Sequence, residues 1–359
     1  MRAIVVSPMV ANSLRIKEVD LPEISKGQML LNVQKVGICG TDRDIISGFY
    51  GAAPKGSDYL VLGHESLSRV ADVGKGVRGF DKGDLVVPTV RRKCVENCLN
   101  CRSQESDMCL TGHYKEHGIK ELHGFASEFA LTDADFVVKL PESLKEVGVL
   151  LEPLTIVEKG EVQTYLIQQS RMKWAPKKAL VLGAGPVGLL ATAILRLKGL
   201  DVSTVATRSA ESLKARLVLQ TGAEYINAKE RPLKSMEDQY DIVFEITGSP
   251  SVALEAQHLI GTNGVTCYLG IYKMQQDTED SGKLFTDLVL GNRVHFGSVN
   301  ANKTYFERGA KDLLKIGKKW NGFLERIITR RARMEDLEKA YSPESEEEIK
   351  TIIEIRNVG

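Results

Sequence analysis

The sequence predicts two domains of different class, a β-rich one followed by an α/β one built on a doubly wound parallel sheet. Three observations carry this. Up to about residue 150, short β-branched runs alternate with Gly, Pro and Asp turn signals. Beyond residue 174, strand-like and helix-like segments alternate. The hexapeptide "GAGPVG" stands at the first strand-to-helix junction of that second region. At 359 residues the chain also exceeds what one ordinary core holds.

The first region contributes the strand candidates "AIVV", "LLNVQKVG", "YLVLGHE", "SRVADVG", "GDLVVPTV" and "DFVVKLP". Residues 151 to 173, "LEPLTIVEKGEVQTYLIQQSRMK", carry apolar residues at helical spacing and predict a linking helix. Then "KALVLGAG" predicts a buried strand, "PVGLLATAILRLKG" a helix, and "DVSTVATR" a strand. "SAESLKARLVLQTG" predicts a helix ended by Gly222, and "YDIVFEITG" another strand. "SVALEAQHLIGTNG" reads as helix, and "VTCYLGIY" and "RVHFGSV" as strands. The last stretch reads as helical through "TYFERGAKDLLKIGKKW" and "MEDLEKAY", and "TIIEIR" as a final strand. The predicted domains are 1–173, 174–300 and a C-terminal segment, 301–359.

Lys plus Arg total 48 and Asp plus Glu 47, a net charge of +1. That balance leaves no electrostatic footprint for nucleic acid or an anionic membrane surface. No run approaches the roughly 18 apolar residues of a membrane span, and the N-terminus lacks the apolar core and cleavage site of a signal peptide. The expected compartment is the cytoplasm, where thiols stay reduced.

In "GAGPVG", Gly183 permits a tight turn, Gly185 lets the backbone approach a pyrophosphate, and Gly188 lets helix and strand pack closely. With Ala184, Pro186 and Val187 these residues form a candidate dinucleotide turn, the helix N-terminus facing the phosphates. About 20 residues on, where an acid would bind the ribose 2′-OH of NAD, the chain has Thr207 and Arg208. A cation without a carboxylate suits a 2′-phosphate, so NADP is expected as the preferred cofactor, with NAD also admissible.

Cys94, Cys98, Cys101 and Cys109 follow the spacing C-x3-C-x2-C-x7-C on a turn-rich stretch. Four thiolates there can surround one tetrahedral zinc, and such a closed shell holds a loop without binding substrate. A redox pair or four free thiols are the competing readings. Elsewhere Cys39 in "GICGTDRD", His64 and Glu65 in "LGHE", and Glu152 in "LLEPL" supply the donors of an open catalytic zinc. Each alone reads more simply as structural. Asp42 would orient a metal-bound His or cap a helix beginning at Arg43. His113, His117 and His123 flank Glu116 and read as exposed loop histidines, and "RRAR" at 330–333 as a solvated face.

"GICGTD", "LGHE", the cysteine cluster, "EPL" and "GAGPVG" occur here in the order and at the distances of the zinc-dependent medium-chain dehydrogenases. Essentially the whole chain resembles that family, and within it the archaeal-type glucose 1-dehydrogenases, through "GICGTDRDI", "LVVPTVRRKC", "EHGI…LHGF" and "GSVNANKTYF". The resemblance implies a GroES-like catalytic domain completed by the C-terminal segment, and a Rossmann domain, with the active site in the cleft between them. It implies a catalytic zinc held by Cys39, His64 and one or both of Glu65 and Glu152, besides the structural zinc. It places Thr41 in the proton relay, Glu116 and Glu152 against sugar hydroxyls, and Asn300 where cofactor and sugar meet. Gly270, Ile271, Ser298 and Val299 would join Asn300 at the cofactor. The implied reaction is oxidation of the C1 hydroxyl of an aldose to the lactone with NADP or NAD, in a homodimer or homotetramer. Two departures stand out. The family's cluster commonly begins C-x2-C-x2-C, whereas one extra residue follows Cys94 here. Val90 and Ile156 also stand where some relatives carry polar, sugar-binding residues.

A related zinc polyol or threonine dehydrogenase is the alternative enzyme. A zinc-stabilised nucleic-acid-binding or regulatory protein is the alternative of another class, opposed by the near-neutral charge and the complete set of Cys39, His64 and Glu65.

Overall fold

The computed structural model describes residues 1–272, 290, 293–342 and 345–355. The chain divides into two compact units. The first comprises Met1–Thr155, Asn300–Leu314 and Leu324–Gly359, and the second Ile156–Val299 and Lys315–Phe323.

The first unit is β-rich. Its strands are β1 (Arg2–Val6), β2 (Arg15–Glu18), β3 (Gln28–Gly37), β4 (Leu60–Val61), β5 (Glu65–Val73), β6 (Leu85–Pro88), β7 (Glu116–His117), β8 (Glu121–Leu122), β9 (Phe129–Asp133) and β10 (Val137–Lys139). Two short helices, α1 (Gly40–Ile46) and α2 (Leu99–Arg102), interrupt them. The long strand β3 organises the sheet. It pairs antiparallel with β5, placing Gly37 opposite Glu65, and with β9 along its first half. The apolar faces of these strands close over one core that includes Ile4, Val33, Val36, Leu62, Phe125 and Ile353.

α3 (Leu151–Arg171) leads into the second unit. There β11 (Lys178–Leu182), α4 (Pro186–Leu197), β12 (Asp201–Ala206), α5 (Leu213–Gln220), β13 (Glu224–Asn227), β14 (Tyr240–Glu245), α6 (Pro250–Glu255), β15 (Ile260–Tyr268) and β16 (Val294–Gly297) follow in order. The sheet order is β13-β12-β11-β14-β15-β16, and every pairing is parallel. β11 is therefore flanked by β12 on one side and β14 on the other. That reversal opens a crevice at the carboxyl ends of the strands, where such sheets bind ligands.

Several expectations need correction. The unit boundary falls inside α3, after Thr155, and not after residue 173. The cause is packing: a Cβ at Gly160 would lie 3.2 Å from Cys267 Sγ, and Gln168 Nε2 donates to Asn263 O at 2.5 Å. The helix expected over "SVALEAQHLIGTNG" ends at Glu255, and a 3-10 turn, Ala256–Leu259, leads into β15 at Ile260. Pairing of β15 with β14, across a register shift between Tyr240 and Ile242, overrides the local pattern. "RRAR" belongs to β17 (Ile328–Arg333), which pairs with β18 (Lys350–Glu354). Ala332 faces the core there, while Arg330 meets Glu348 at 3.0 Å and Arg331 meets Glu354 at 3.0 Å.

β18 lies between β3 and β17, so a strand from the end of the chain completes the sheet begun near its start. Ile353 is fully buried within it. Ile353→Ala should therefore cost about 3 kcal/mol, read as a lower urea midpoint.

Candidate active site

Cys39 is the N-cap of α1. Asp42, at the third helical position, accepts the Cys39 backbone N–H through Oδ2 at 2.8 Å. The helix thus begins at Gly40, not Arg43, and its N-cap is Cys39; Asp42 closes the capping turn from the third helical position instead of capping the helix itself. Its other oxygen, Oδ1, faces His64 Nδ1 at 3.6 Å, and both residues are buried. Thr41, in the first turn of the same helix, has its hydroxyl 3.9 Å from Cys39 Sγ.

Glu65 opens β5 directly after His64 and lies across from Gly37. A Cβ at Gly37 would come within 2.0 Å of Glu65 Oε2, so the first glycine of "GICG" makes room for that carboxylate. Lys350, the first residue of β18, reaches the same group: its Nζ donates to Glu65 Oε1 at 2.6 Å and to Ile38 O at 2.9 Å. The sequence reading missed Lys350, since no local signal connects residues 285 positions apart.

Cys39, His64 and Glu65 offer ligand atoms that all lie within 4.8 Å of one another. Glu152, buried in the first turn of α3, stands outside that group but within reach of its charges. Burial pushes its carboxyl up to about 7, with Glu65 and Asp42 adding to the rise and His64 and Lys350 opposing it. Burial also disfavours a charged His64, yet Asp42 and Cys39 outweigh it and raise the imidazole well above its ordinary value. A pocket that draws a proton onto a buried histidine is short of positive charge. The donor set and this deficit both fit a divalent cation.

The segment after the cysteine cluster packs onto this site through glycine. A Cβ at Gly118 (φ 71°) would lie 2.7 Å from Gly63 O, and one at Gly124 would lie 2.2 Å from Leu62 O. This close approach places Glu116 on β7, where it is buried and accepts from Arg91 Nε at 3.0 Å and Asn300 Nδ2 at 3.0 Å. Arg91 and Tyr50 were not foreseen. The Tyr50 hydroxyl is raised by burial and then by the neighbouring Glu116, so it stays a neutral donor. Val90 lies within the apolar core, as its side chain requires. His117 is buried and not exposed: its ring stacks on Phe125, and Nε2 lies 2.9 Å from the Arg92 guanidinium. His123 is half-buried against Tyr59, and only His113 is well exposed.

The four clustered cysteines form no disulfide, and their Sγ atoms lie within 4.8 Å of one another. The extra residue after Cys94 is absorbed in a turn: Asn97 takes a left-handed φ of 47° and its N–H donates to Cys94 O at 3.0 Å. Cys94 therefore reaches the cluster despite the altered spacing. Backbone N–H groups point at the sulfurs, from Cys98 to Cys94 Sγ at 3.3 Å, Cys94 to Cys101 Sγ at 3.4 Å and Leu110 to Cys98 Sγ at 3.5 Å. The Leu110 bond leads in bringing Cys98 down to about 6, while burial pushes Cys101 up to about 12. Four thiols this crowded cannot all ionise without a cation, and four sulfurs suit zinc.

In the second unit, Gly183 takes φ +107°, and a Cβ at Gly188 would stand 2.0 Å from Gly183 O. Gly185 caps α4, with Pro186 as its first residue, and a Cβ on Gly185 would meet nothing within 4 Å. Ala184, Pro186 and Val187 complete this open cradle, which fits a pyrophosphate. Thr207 and Arg208 follow β12, and Arg208 O accepts from Tyr225 Oη at 2.7 Å. Gly270 approaches Gly248 closely, Ile271 is exposed, and Ser298 N–H donates to Tyr268 O at 3.0 Å. Lys159, buried in α3, donates to Val299 O at 3.0 Å, and Glu245 holds Thr247 and Tyr272; neither was foreseen.

A β-rich unit bearing a Cys–His–Glu set and a four-cysteine cluster, in one chain with a parallel dinucleotide-type sheet, defines the medium-chain dehydrogenase class. Residues 25–142 match the alcohol dehydrogenase GroES-like domain, and residues 145–355 match the glucose dehydrogenase C-terminus. The chain is 46% identical to glucose 1-dehydrogenase 1 of Caldivirga maquilingensis over 355 residues, covering 99% of each. It is 46% identical to the glucose 1-dehydrogenase of Thermoproteus tenax, covering 99% of this chain and all of the relative. Its structure resembles Haloferax mediterranei glucose dehydrogenase in complex with NADP, Zn and gluconolactone, with TM-score 0.91, 32% identity and full coverage of both chains. This chain belongs to the glucose dehydrogenase family. Among the described residues no helix is long and apolar enough to cross a membrane.

Lys350→Met should leave Glu65 as a buried, unpaired carboxylate and cost about 3–5 kcal/mol. The additional change Glu65→Gln should recover part of that loss. Urea denaturation of the metal-free protein, in which Lys350 is the cation facing Glu65, measures both.

Proposed function

We propose that this protein oxidises the C1 hydroxyl of a cyclic aldose, glucose first and galactose or another aldose second, to the lactone with reduction of NADP. The observation that carries this reading is the convergence of Cys39, His64 and Glu65 at ligand distance in a chain that belongs to the glucose dehydrogenase family. NAD would serve as the second cofactor.

Cys39, His64 and Glu65, with Glu152 close by, would hold a zinc ion, which when bound polarises a substrate oxygen and acidifies its proton. The chain's own residues do the rest. Asp42 holds His64 from behind and ties it to the N-terminus of α1. Thr41, on that same turn, passes the C1 hydroxyl proton towards solvent through its own hydroxyl. Glu116 and Glu152 accept hydrogen bonds from other sugar hydroxyls and fix the ring's orientation. The turn from Gly183 to Gly188 binds the pyrophosphate, and Arg208 pairs with the 2′-phosphate. Gly270, Ile271, Ser298, Val299 and Asn300 would flank the nicotinamide, the hydride acceptor. Cys94, Cys98, Cys101 and Cys109 would hold a second zinc whose four-sulfur shell leaves no place for substrate. The family resemblance supports a cytoplasmic homodimer or homotetramer, which light scattering would test.

His64→Ala should abolish glucose oxidation while leaving NADP binding intact, and metal analysis should fall from two zincs per chain to one. Cys109→Ser should lose the other zinc. Near-normal turnover by His64→Ala would refute the catalytic assignment. Arg208→Ala should shift the NADP-to-NAD ratio of kcat/KM towards NAD by about tenfold or more, the scale of one charge-assisted hydrogen bond.

A further inference from the structure

Arg91 is buried, with 6% of its side chain exposed, and is held on three sides. Its Nε donates to Glu116 Oε1 at 3.0 Å, and one Nη donates to Asp107 O at 3.0 Å. Its guanidinium carbon stands 3.6 Å from the centroid of the Tyr114 ring. An antiparallel bridge sets the backbone of Arg91 opposite that of Glu116. Asp107 in turn belongs to the 3-10 turn Ser106–Met108 that leads directly into Cys109, and its Oδ1 accepts from Asn302 Nδ2 at 3.0 Å. The four-cysteine lobe thus supplies a fixed anchor for the guanidinium.

Both donors on the Glu116 carboxylate, Arg91 Nε and Asn300 Nδ2, fall on the same oxygen, Oε1. Among the described residues no hydrogen bond goes to Oε2. A carboxylate anchored through one oxygen by two donors cannot rotate freely, and its second oxygen remains a directed acceptor. Arg91 also pairs with Glu116 where both side chains are 6% exposed, so the ion pair fixes the carboxylate's orientation. Val90, immediately before Arg91, brings no polar atom to the site.

We propose that Arg91 is the positioning residue of the aldose site, locking Glu116 through Oε1 so that Oε2 is presented to one sugar hydroxyl. This rests on the reading of Glu116 as a sugar-binding group. Arg91 need not touch the substrate; it acts on selectivity through Glu116, and the cysteine lobe acts on the sugar through Arg91.

Steady-state kinetics on the zinc-loaded enzyme test the idea, varying glucose and a set of monodeoxyglucoses at saturating NADP, and NADP at saturating glucose. Glu116→Gln should raise the glucose KM and erase discrimination against one deoxy sugar; if it does neither, the reading of Glu116 itself fails. Arg91→Met should raise the glucose KM by about tenfold or more and erase discrimination against the same deoxy sugar. Its kcat and NADP KM should stay within about threefold of the wild-type values. Arg91→Lys, which keeps the charge but loses the planar fork, should recover part of the effect. Arg91 is no positioning residue if Glu116→Gln shifts KM while Arg91→Met does not, or if kcat and the NADP KM deteriorate in step with the glucose KM. Should Arg91→Met fail to fold, Arg91→Lys decides alone: a glucose KM and deoxy-sugar selectivity like the wild type would overturn the proposal.

Discussion

The first unit is built around a burial problem. Asp42, Glu65 and Glu152 lie with the Cys39 thiol around His64, and all three carboxylates are buried. Buried negative charge is costly unless a cation answers it. Lys350 supplies one positive group, which the pairing of β18 with β3 carries in from the far end of the chain. The register of the sheet follows from the same demand. Gly37 must oppose Glu65 because no side chain fits there, and Ile352 must pair with Gly37 for Lys350 to reach inward. What remains of the charge deficit is the driving force for a metal ion.

The two sulfur-bearing sites divide their labour by composition. The cysteine lobe brings four like ligands together, with backbone N–H groups on their sulfurs, so a metal there would be enclosed. The Cys39 site mixes thiol, imidazole and carboxylate, and its three ligands leave a coordination position. Arg91 joins the cysteine lobe to the neighbouring carboxylate, donating to Asp107 O on one side and to Glu116 Oε1 on the other.

The second unit solves an easier problem with local means. A buried strand, three glycines and a proline-started helix make an open backbone cradle from one short contiguous stretch. The parallel sheet then places the end of β12, with Thr207 and Arg208, next to the end of β11. Lys159 donates to Val299 O beyond β16, and Glu245 accepts from the Thr247 N–H beyond β14, tying both loops to the sheet.

The sequence by itself determined whatever depends on short-range order. The β-rich and α/β regions, the glycine turn, the cysteine cluster and the residue types of the Cys39, His64 and Glu65 group were all legible, because periodicity, turn chemistry and ligand type are local properties. It failed where a distant strand or a packed loop decides the outcome. Asn97 could not be seen to absorb the extra residue after Cys94, since a left-handed turn leaves little trace in spacing. His117 looked like a loop histidine until Phe125 and Arg92 closed over it. "RRAR" keeps an exposed face at Arg331 and Arg333, but only β18 shows that it is a strand with Ala332 turned into the core. Lys350 carries no motif and Arg91 only shares one with its neighbours, and each meets a carboxylate that only the fold brings near: Glu116 from 25 residues away, Glu65 from 285. Residue type sets which chemistry is available; long-range strand pairing and glycine-permitted close approach decide which groups meet to perform it.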